Sequence, residues 1–79
     1  MASITILAWN CRGLGNPATL TKFKKISRTQ KPQLMFLSET KQNTAEMERI
    51  RLEVGFSNCF GVDSVGRSGG LAVLWTEDV

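Results

Sequence analysis

The sequence predicts an α/β fold in the order β-α-β-α-β-β. Short apolar runs rich in aliphatic and aromatic residues recur at 3–9, 34–37 and 71–75, and two segments with helical spacing of apolar residues lie between them. The longest apolar run, Leu71–Trp75, is far shorter than the roughly 18 residues of a membrane span. With 79 residues, 42% of them hydrophobic and 22% charged, the chain is one small globular domain or a part of one.

The first strand and the first helix are predicted in residues 3–28. Residues 3–9 begin with alternation and become continuously apolar, which predicts a strand buried on both faces. After a loop at 11–15, Asn16 is a suitable N-cap and Pro17 suits the first position of a helix that ends near Arg28. The apolar stripe of this helix consists of Leu20, Phe23 and Ile26, and its water-facing positions include Lys22, Lys24, Lys25 and Arg28.

The rest of the chain repeats the pattern. Lys31-Pro32 ends the first helix, and the apolar run at 34–37 predicts a second buried strand. Asn43 and Glu46 form a capping box for a second helix, whose Met47, Ile50 and Val54 share one face and which Gly55 can terminate. We expect a third strand at 56–63, a glycine-rich hairpin loop at 65–70 and a fourth strand at 71–75.

Charge is distributed unevenly along the chain. Residues 1–38 contain six basic and no acidic residues, whereas residues 39–79 contain four basic and seven acidic ones. The first half can therefore present a basic patch to a polyanion such as a nucleic acid. A lysine-rich, solvated helix face explains the same composition, and the sequence leaves both interpretations open.

Several classes of site are excluded by composition. The chain has no histidine, so it contains no histidine general base, no Ser-His-Asp triad and no histidine metal ligand. Its two cysteines, Cys11 and Cys59, are too few for a disulfide framework and favour free thiols in a reducing compartment. The first residues lack the basic and apolar regions of a signal peptide, so the expected location is the nucleus or the cytoplasm.

Polar residues follow the first two predicted strands. Strands joined by a helix are normally parallel and end at the same edge of the sheet, which brings Asn10 and Glu39 close together if the strands are neighbours. Amide and carboxylate oxygens suit Mg²⁺, which keeps several waters and often binds substrate phosphate. The alternative is that Asn10 begins a turn and Glu39 is a solvated strand end.

Three short motifs point to other chemistries. Residues 13–18 fit the G-x-G-x-x-A pattern of a dinucleotide site, with Glu39 as the acid after the next strand, but Pro17 removes an N–H group that should face the pyrophosphate. Residues 66–70 fit the G-x-S-x-G nucleophile elbow, yet a strand follows where that motif needs a helix. Residues 38–41 fit S-x-x-K, whose two side chains point apart at the end of a strand.

Three segments together resemble a known family. They are Trp9-Asn10-Cys11-Arg12-Gly13-Leu14-Gly15, Leu37-Ser38-Glu39-Thr40-Lys41 and Gly66-Arg67-Ser68-Gly69-Gly70-Leu71-Ala72. In order, spacing and wording they resemble the opening of the endonuclease/exonuclease/phosphatase superfamily, above all the endonuclease of plant LINE-type (non-LTR) retrotransposons. The resemblance covers nearly the whole chain.

The resemblance implies the N-terminal part of a two-sheet α/β sandwich that cleaves phosphodiesters in DNA with Mg²⁺ or Mn²⁺. It implies that Glu39 is the metal ligand and that Asn10 positions metal and phosphate. Lys41 would offset charge near the site, and Arg12, at a position where apurinic nucleases often carry an acid, would contact phosphate. The family's later aspartates, asparagine and histidine have no match, so we expect a fragment that is inactive alone.

The resemblance also implies a partner, and the residues themselves leave two alternatives open. The missing C-terminal part of the domain would cover the inner faces of the first two strands, and without it we expect exposed apolar surface and association. A small non-catalytic module that binds nucleic acid or a partner is the first alternative, and a dinucleotide-binding domain is the second.

Overall fold

The computed structural model describes residues 3–62 and 69–77. The six elements follow the predicted order: β1 at Ile6–Asn10, α1 at Pro17–Gln30, β2 at Leu34–Ser38, α2 at Thr44–Val54, β3 at Asn58–Val62 and β4 at Leu71–Trp75. The described chain is a small α/β fold.

Local side-chain contacts fix both helix starts as the sequence predicts. The Asn16 side chain accepts a hydrogen bond from the amide of Ala18, and Pro17 occupies the first turn of α1. In α2, Asn43 and Glu46 form a complete capping box, and Gly55 ends the helix with a φ of 99°. Such caps satisfy amide groups that have no partner within the helix, so the helix boundaries are set by neighbouring residues.

The four strands form one mixed sheet in the order β1-β2-β4-β3. β1 and β2 are parallel neighbours, as expected for strands joined by a helix, and Asn10 lies opposite Ser38. β4 is antiparallel to β2 on one side and to β3 on the other. The predicted hairpin is confirmed in this pairing, although residues 65–68 of the predicted loop at 65–70 lie outside the described residues.

Both helices cover the same face of the sheet. Phe23 of α1 and Met47 of α2 are buried in one cluster with Met35, Leu37 and Leu74 of the central strands. The Phe23 ring lies 6.1 Å from the ring of Trp9 and 6.3 Å from that of Phe56, measured between centroids. These contacts place the hydrophobic core between the sheet and the two helices.

The opposite face of the sheet is open and largely apolar. The strand register aligns its side chains in rows, and the central row consists of Ala8, Phe36, Val73 and Phe60. Phe36 is 44% exposed and Phe60 is 64% exposed, and Ile6, Val62 and Leu71 on the same face are also exposed. Larger contiguous apolar patches of this kind are uncommon on soluble monomers. We call this surface the open face.

The structure corrects three details of the sequence prediction. β1 begins at Ile6 and β3 begins at Asn58, because Phe56 turns into the core before the strand starts. Burial of the first strand on both faces is wrong for this chain, since Ile6 and Ala8 are exposed, and the predicted burial of the second strand holds for one face only, since Phe36 is exposed. A continuous apolar run indicates that both faces of a strand carry apolar side chains, but it does not show what covers the second face. The expected exposed apolar surface is confirmed.

Within residues 3–62 and 69–77, neither helix combines the length and apolarity that crossing a membrane requires.

Candidate metal and phosphate site

Parallel pairing brings Asn10 and Glu39 to one edge of the sheet. Asn10 is the last residue of β1, and its register partner Ser38 is the last residue of β2. Glu39 is therefore the first residue beyond the strand that neighbours Asn10. The side chain of Asn10 is exposed and Glu39 is partly exposed, so both can meet a ligand from solvent. The predicted juxtaposition rests on strand register, which side-chain rotation cannot remove.

Backbone hydrogen bonds continue past the ends of the strands. The amides of Cys11, Gly13 and Leu14 donate to the carbonyls of Ser38, Glu39 and Thr40, at 3.1, 2.7 and 2.9 Å. On the other side, the amides of Thr40 and Lys41 donate to the carbonyls of Gly70 and Gly69. The segment 39–41 is thus held between the loop after β1 and the residues before β4. We call these three connected segments the edge loops.

Three of the four predicted site residues have left-handed backbone conformations. Arg12, Glu39 and Lys41 have φ values of 53°, 54° and 54°. For residues with a β-carbon this region costs roughly 1–2 kcal/mol each, and such conformations persist only where surrounding contacts impose them. The hydrogen bonds of the edge loops supply those contacts. Strained non-glycine residues concentrate at functional sites, which makes this edge the leading candidate in the described chain.

Two buried polar side chains support the edge loops from below. Cys11 is 4% exposed, and its thiol donates to the Ser38 carbonyl at 3.2 Å and lies 3.7 Å from that of Glu39. Thr40 is fully buried, and its hydroxyl donates to the Gly69 carbonyl at 3.4 Å. The Cys11 thiol therefore bonds the backbone at Ser38 and Glu39, and the Thr40 hydroxyl bonds the backbone at Gly69.

The Cys11 thiol reports the electrostatics of this edge. Burial raises its pKa above the ordinary value, hydrogen bonds with the backbone at Gly13 and at Cys11 itself lower it in part, and the negative charge of Glu39 raises it again. The thiol is therefore neutral at physiological pH.

Gly69 packs directly against Glu39. A β-carbon at position 69 would lie 2.4 Å from Cα, 2.7 Å from Cβ and 2.8 Å from Cγ of Glu39. No real β-carbon approaches another residue so closely, so only glycine fits there without a shift of the Glu39 backbone. Gly69 thereby fixes the position of the Glu39 backbone on one side.

The two predicted basic contacts lie on the same edge. Lys41 is exposed, and the stem of its side chain passes over Gly13, whose β-carbon position is 3.5 Å from Lys41 Cδ. Arg12 is exposed in the loop between Cys11 and Gly13. Both bases can therefore reach an anion at the edge loops, and arginine is well suited to pair with phosphate oxygens.

Hydrogen bonding at the G-x-G-x-x-A motif argues against a dinucleotide site. A pyrophosphate would need free backbone N–H groups at the start of α1. The amides of Gly13 and Leu14 already donate to the carbonyls of Glu39 and Thr40, and the Ala18 amide donates to the Asn16 side chain. Pro17 has no N–H group. Much of the donor set that would hold a pyrophosphate is therefore occupied.

The described structure does not support a catalytic role for the G-x-S-x-G or the S-x-x-K motif. β4 follows Gly69-Gly70 directly, so no helix follows the G-x-S-x-G sequence, and Ser68 lies outside the described residues. Ser38 ends β2 and Lys41 lies beyond it, so they do not share a helical face. Both described cysteines are free thiols, as predicted, with Cys11 buried and Cys59 partly buried.

Within residues 3–62 and 69–77, no group of three or more histidine, cysteine, aspartate or glutamate side chains could hold a metal. The edge loops therefore contribute one carboxylate, that of Glu39. A depression of about 450 Å³ on the open face borders them and includes Asn10, Ser38 and Leu71 in its lining. The candidate site thus lies where a polar edge meets an apolar surface.

Sequence reasoning missed the supporting roles of Cys11, Thr40 and Gly69. The identities of these residues give no such signal alone, because each acts on the backbone of a segment distant in sequence. The paired glycines before β4 were the one available signal, since adjacent glycines often mark close backbone approach.

The sequence was also compared with known proteins. It matches no protein-family model and none of the curated proteins.

Proposed function

We propose that this chain forms the N-terminal layer of a metal-dependent DNA endonuclease domain of the endonuclease/exonuclease/phosphatase type, like that of LINE-type retrotransposons. In this proposal Glu39 binds Mg²⁺ or Mn²⁺ and Asn10 positions the metal and a DNA phosphate. The supporting observation is the register of β1 and β2, which pairs Asn10 with Ser38 and so brings Glu39 next to it. The resemblance of the three sequence motifs to those of the superfamily suggests the reaction class, metal-dependent cleavage of phosphodiesters.

The residues at the edge loops fit a magnesium site that is completed by other groups. A carboxylate and an amide are hard oxygen donors, and Mg²⁺ commonly takes one or two protein carboxylates together with waters and substrate phosphate. Glu39 and Asn10 are both accessible to solvent, as such a site requires. One carboxylate alone gives weak binding, so this chain needs further ligands from DNA and from another part of the domain.

Each residue at the edge has a separate part in the proposed chemistry. When bound, the metal would stabilise negative charge on the phosphate as the ester bond is cleaved. The carboxylate of Glu39 holds the cation, and the amide of Asn10 orients a phosphate oxygen beside it. Arg12 pairs with phosphate oxygens, and Lys41 reduces the repulsion between Glu39 and the incoming anion. Thr40 and Gly69 fix the direction of Glu39 through its backbone.

The open face supports the assignment of this chain to a larger domain. Sheets that stack face to face lie about 10 Å apart and bury apolar side chains between them. The row formed by Ala8, Phe36, Val73 and Phe60 has that character and lacks cover in the described chain. We propose that the second sheet of the sandwich packs there and contributes the remaining catalytic groups.

A chimeric nuclease tests the proposal. The chain would replace the corresponding segment of an active member of the superfamily, and nicking of supercoiled plasmid would be measured with and without a chelator. We expect metal-dependent nicking that Glu39→Ala reduces by about 100-fold or more, because a charge-stabilising group is lost. The matched control is Glu77→Ala, which removes an exposed carboxylate just beyond the far end of β4. Full activity of the Glu39→Ala chimera would refute the assignment.

The 79-residue chain alone provides a second arm. We expect no nicking with Mg²⁺, since the proposed site, within residues 3–62 and 69–77, holds one metal ligand and no group to activate water. Metal-dependent nicking by the chain alone would contradict its description as one layer of a larger domain. Binding of DNA without any nicking in the chimera would instead favour the non-catalytic nucleic-acid-binding module.

A further inference from the structure

The outer face of α1 carries an uncompensated row of basic side chains. Phe23 is fully buried against the core, and it defines the inner direction of the helix. Successive residues of a helix are rotated by about 100° around its axis. Measured from Phe23, the directions of Lys22, Lys25 and Arg28 are about 260°, 200° and 140°. Their mean direction is close to 180°, on the side of the helix opposite the core. All three are exposed. We call Lys22, Lys25 and Arg28 the basic face.

Neutralising partners are lacking on this face, in contrast to the other helix. α1 contains no acidic residue, and within the described residues none of the three bases forms an ion pair. Lys24, on the side towards α2, pairs with Glu53 at 3.0 Å, and Arg51 of α2 pairs with Glu48 at 3.0 Å. Like charges three residues apart on a helix repel each other. The basic face therefore has a concentrated positive potential that an external anion would relieve.

The side chains between the bases leave them accessible. Thr21 and Thr29 occupy the same outer side, and their hydroxyls donate back to the carbonyls of Pro17 and Lys25, each at 2.9 Å. Ala18 is the remaining neighbour and is exposed. These side chains are short, and both threonine hydroxyls already donate to backbone carbonyls. They therefore neither block a polyanion that approaches the lysine ammonium groups nor compete with it for hydrogen bonds.

The position of the face relative to the edge loops suggests the shape of its ligand. α1 begins at Pro17, shortly after the loop that carries Arg12. Lys22 and Lys25 lie about 8 and 12 Å farther along the helix axis. The bases therefore follow one another away from the edge loops, as the contacts of an extended, regularly charged polymer require, whereas a single small anion would need converging donors.

We propose that the basic face of α1 binds the phosphate backbone of duplex DNA, at a surface separate from Asn10 and Glu39. This binding needs no metal and reads no bases, because lysine and arginine side chains contact phosphates in any sequence. The basic face is then a second DNA-contacting surface, defined by its charge and its exposure. This role would hold even if the proposed nuclease function failed.

The test uses the full 79-residue chain and a short fluorescent DNA duplex in buffer with EDTA, so the metal site contributes nothing. Affinity is measured between about 50 and 200 mM salt. We expect Lys22→Gln/Lys25→Gln to make the slope of log affinity against log salt shallower by about 2, since each lost phosphate contact removes about 0.9. Arg28 borders a groove that also contains Glu53, so the lysines are the sharper probes.

Two matched variants separate a surface effect from a change in net charge or folding. Lys24→Gln/Arg49→Gln removes the same charge from outside the basic face and is expected to leave the slope unchanged. Lys22→Arg/Lys25→Arg keeps the charge and is expected to retain the wild-type slope. Circular dichroism of each variant verifies that the helices are formed.

Four results would overturn the proposal. These are equal slopes for wild type and Lys22→Gln/Lys25→Gln, equal changes in the two glutamine variants, a strong preference for one DNA sequence, and tighter binding to vesicles of anionic lipid than to DNA at the same salt concentration.

Discussion

Gly69 and Glu39 are packed so closely that a β-carbon on residue 69 would lie 2.4 Å from the Glu39 Cα. The same glycine accepts hydrogen bonds through its carbonyl from the Lys41 amide and the Thr40 hydroxyl. Gly69, two residues before β4, therefore determines the backbone position of Glu39, the proposed metal ligand after β2.

Gly69→Ala is expected to destabilise the fold and displace Glu39. The new β-carbon would overlap with Cα of Glu39, a backbone atom, so a rotamer change cannot relieve the overlap. Overpacking of this kind costs about 1–3 kcal/mol. The measurement is the free energy of unfolding by chemical denaturation. Gly61→Ala is the control, because its β-carbon would meet only ordinary contacts at 3.7 Å or more. Equal stability of the two variants would contradict the packing described.

Glycine substitutions at two lysines with left-handed backbone conformations should distinguish an effect on stability from an effect on activity. Lys31 caps α1 with a φ of 48° and Lys41 has a φ of 54°, so Lys31→Gly and Lys41→Gly should each raise the free energy of unfolding by about 0.5–1 kcal/mol. In the chimeric nuclease, only Lys41→Gly should lower nicking, since only that side chain lies at the edge loops. Equal activity of both variants would remove Lys41 from the site.

Stability should fall at alkaline pH because of the Cys11 thiol. Burial raises the pKa of Cys11 in the folded state, so the folded chain holds a proton that the unfolded chain releases. The stabilisation is complete below the ordinary thiol pKa and is lost as the pH rises through the folded value. Unfolding measured from neutral to alkaline pH should show a steeper decline for wild type than for Cys11→Ala. Parallel declines would show that the thiol does not contribute.

The open face should cause self-association. Phe60 is 64% exposed on this face, and Leu52 is 68% exposed on α2, away from it. Phe60→Thr should therefore reduce concentration-dependent association, whereas Leu52→Gln should leave it unchanged. Sedimentation velocity over a range of protein concentrations measures both. A wild-type chain that stays monomeric, with a sharp reversible thermal transition, would show that the face needs no cover.

Features set by short sequence distances were predictable. The caps at Asn16 and Asn43 join residues two and three positions apart, and the parallel pairing of β1 with β2 follows from the connecting helix. The parallel pairing predicted the neighbouring positions of Asn10 and Glu39. The same rules left the covering of the second sheet face open, which is why burial of β1 on both faces was a wrong expectation for this chain.

Features set by distant pairings were not predictable. The insertion of β4 between β2 and β3 depends on the relative stability of alternative strand orders, which no local pattern encodes. Gly69 acquires its role only through that insertion. Left-handed backbone at Arg12, Glu39 and Lys41 is imposed by the edge loops, and these residue types have no preference for it that a sequence would reveal.

The most direct test of the proposed site is Mn²⁺ titration of the isotope-labelled 79-residue chain, observed by amide NMR. Paramagnetic broadening detects weak binding, which suits a site with one carboxylate. We expect the amides of residues 10–13, 39–41 and 69–70 to broaden first, and we expect Glu39→Gln to abolish this pattern while Glu77→Gln preserves it. Broadening centred on Glu46, Glu48 and Glu53 of α2, with none at the edge loops, would contradict the assignment of Glu39 as the metal ligand.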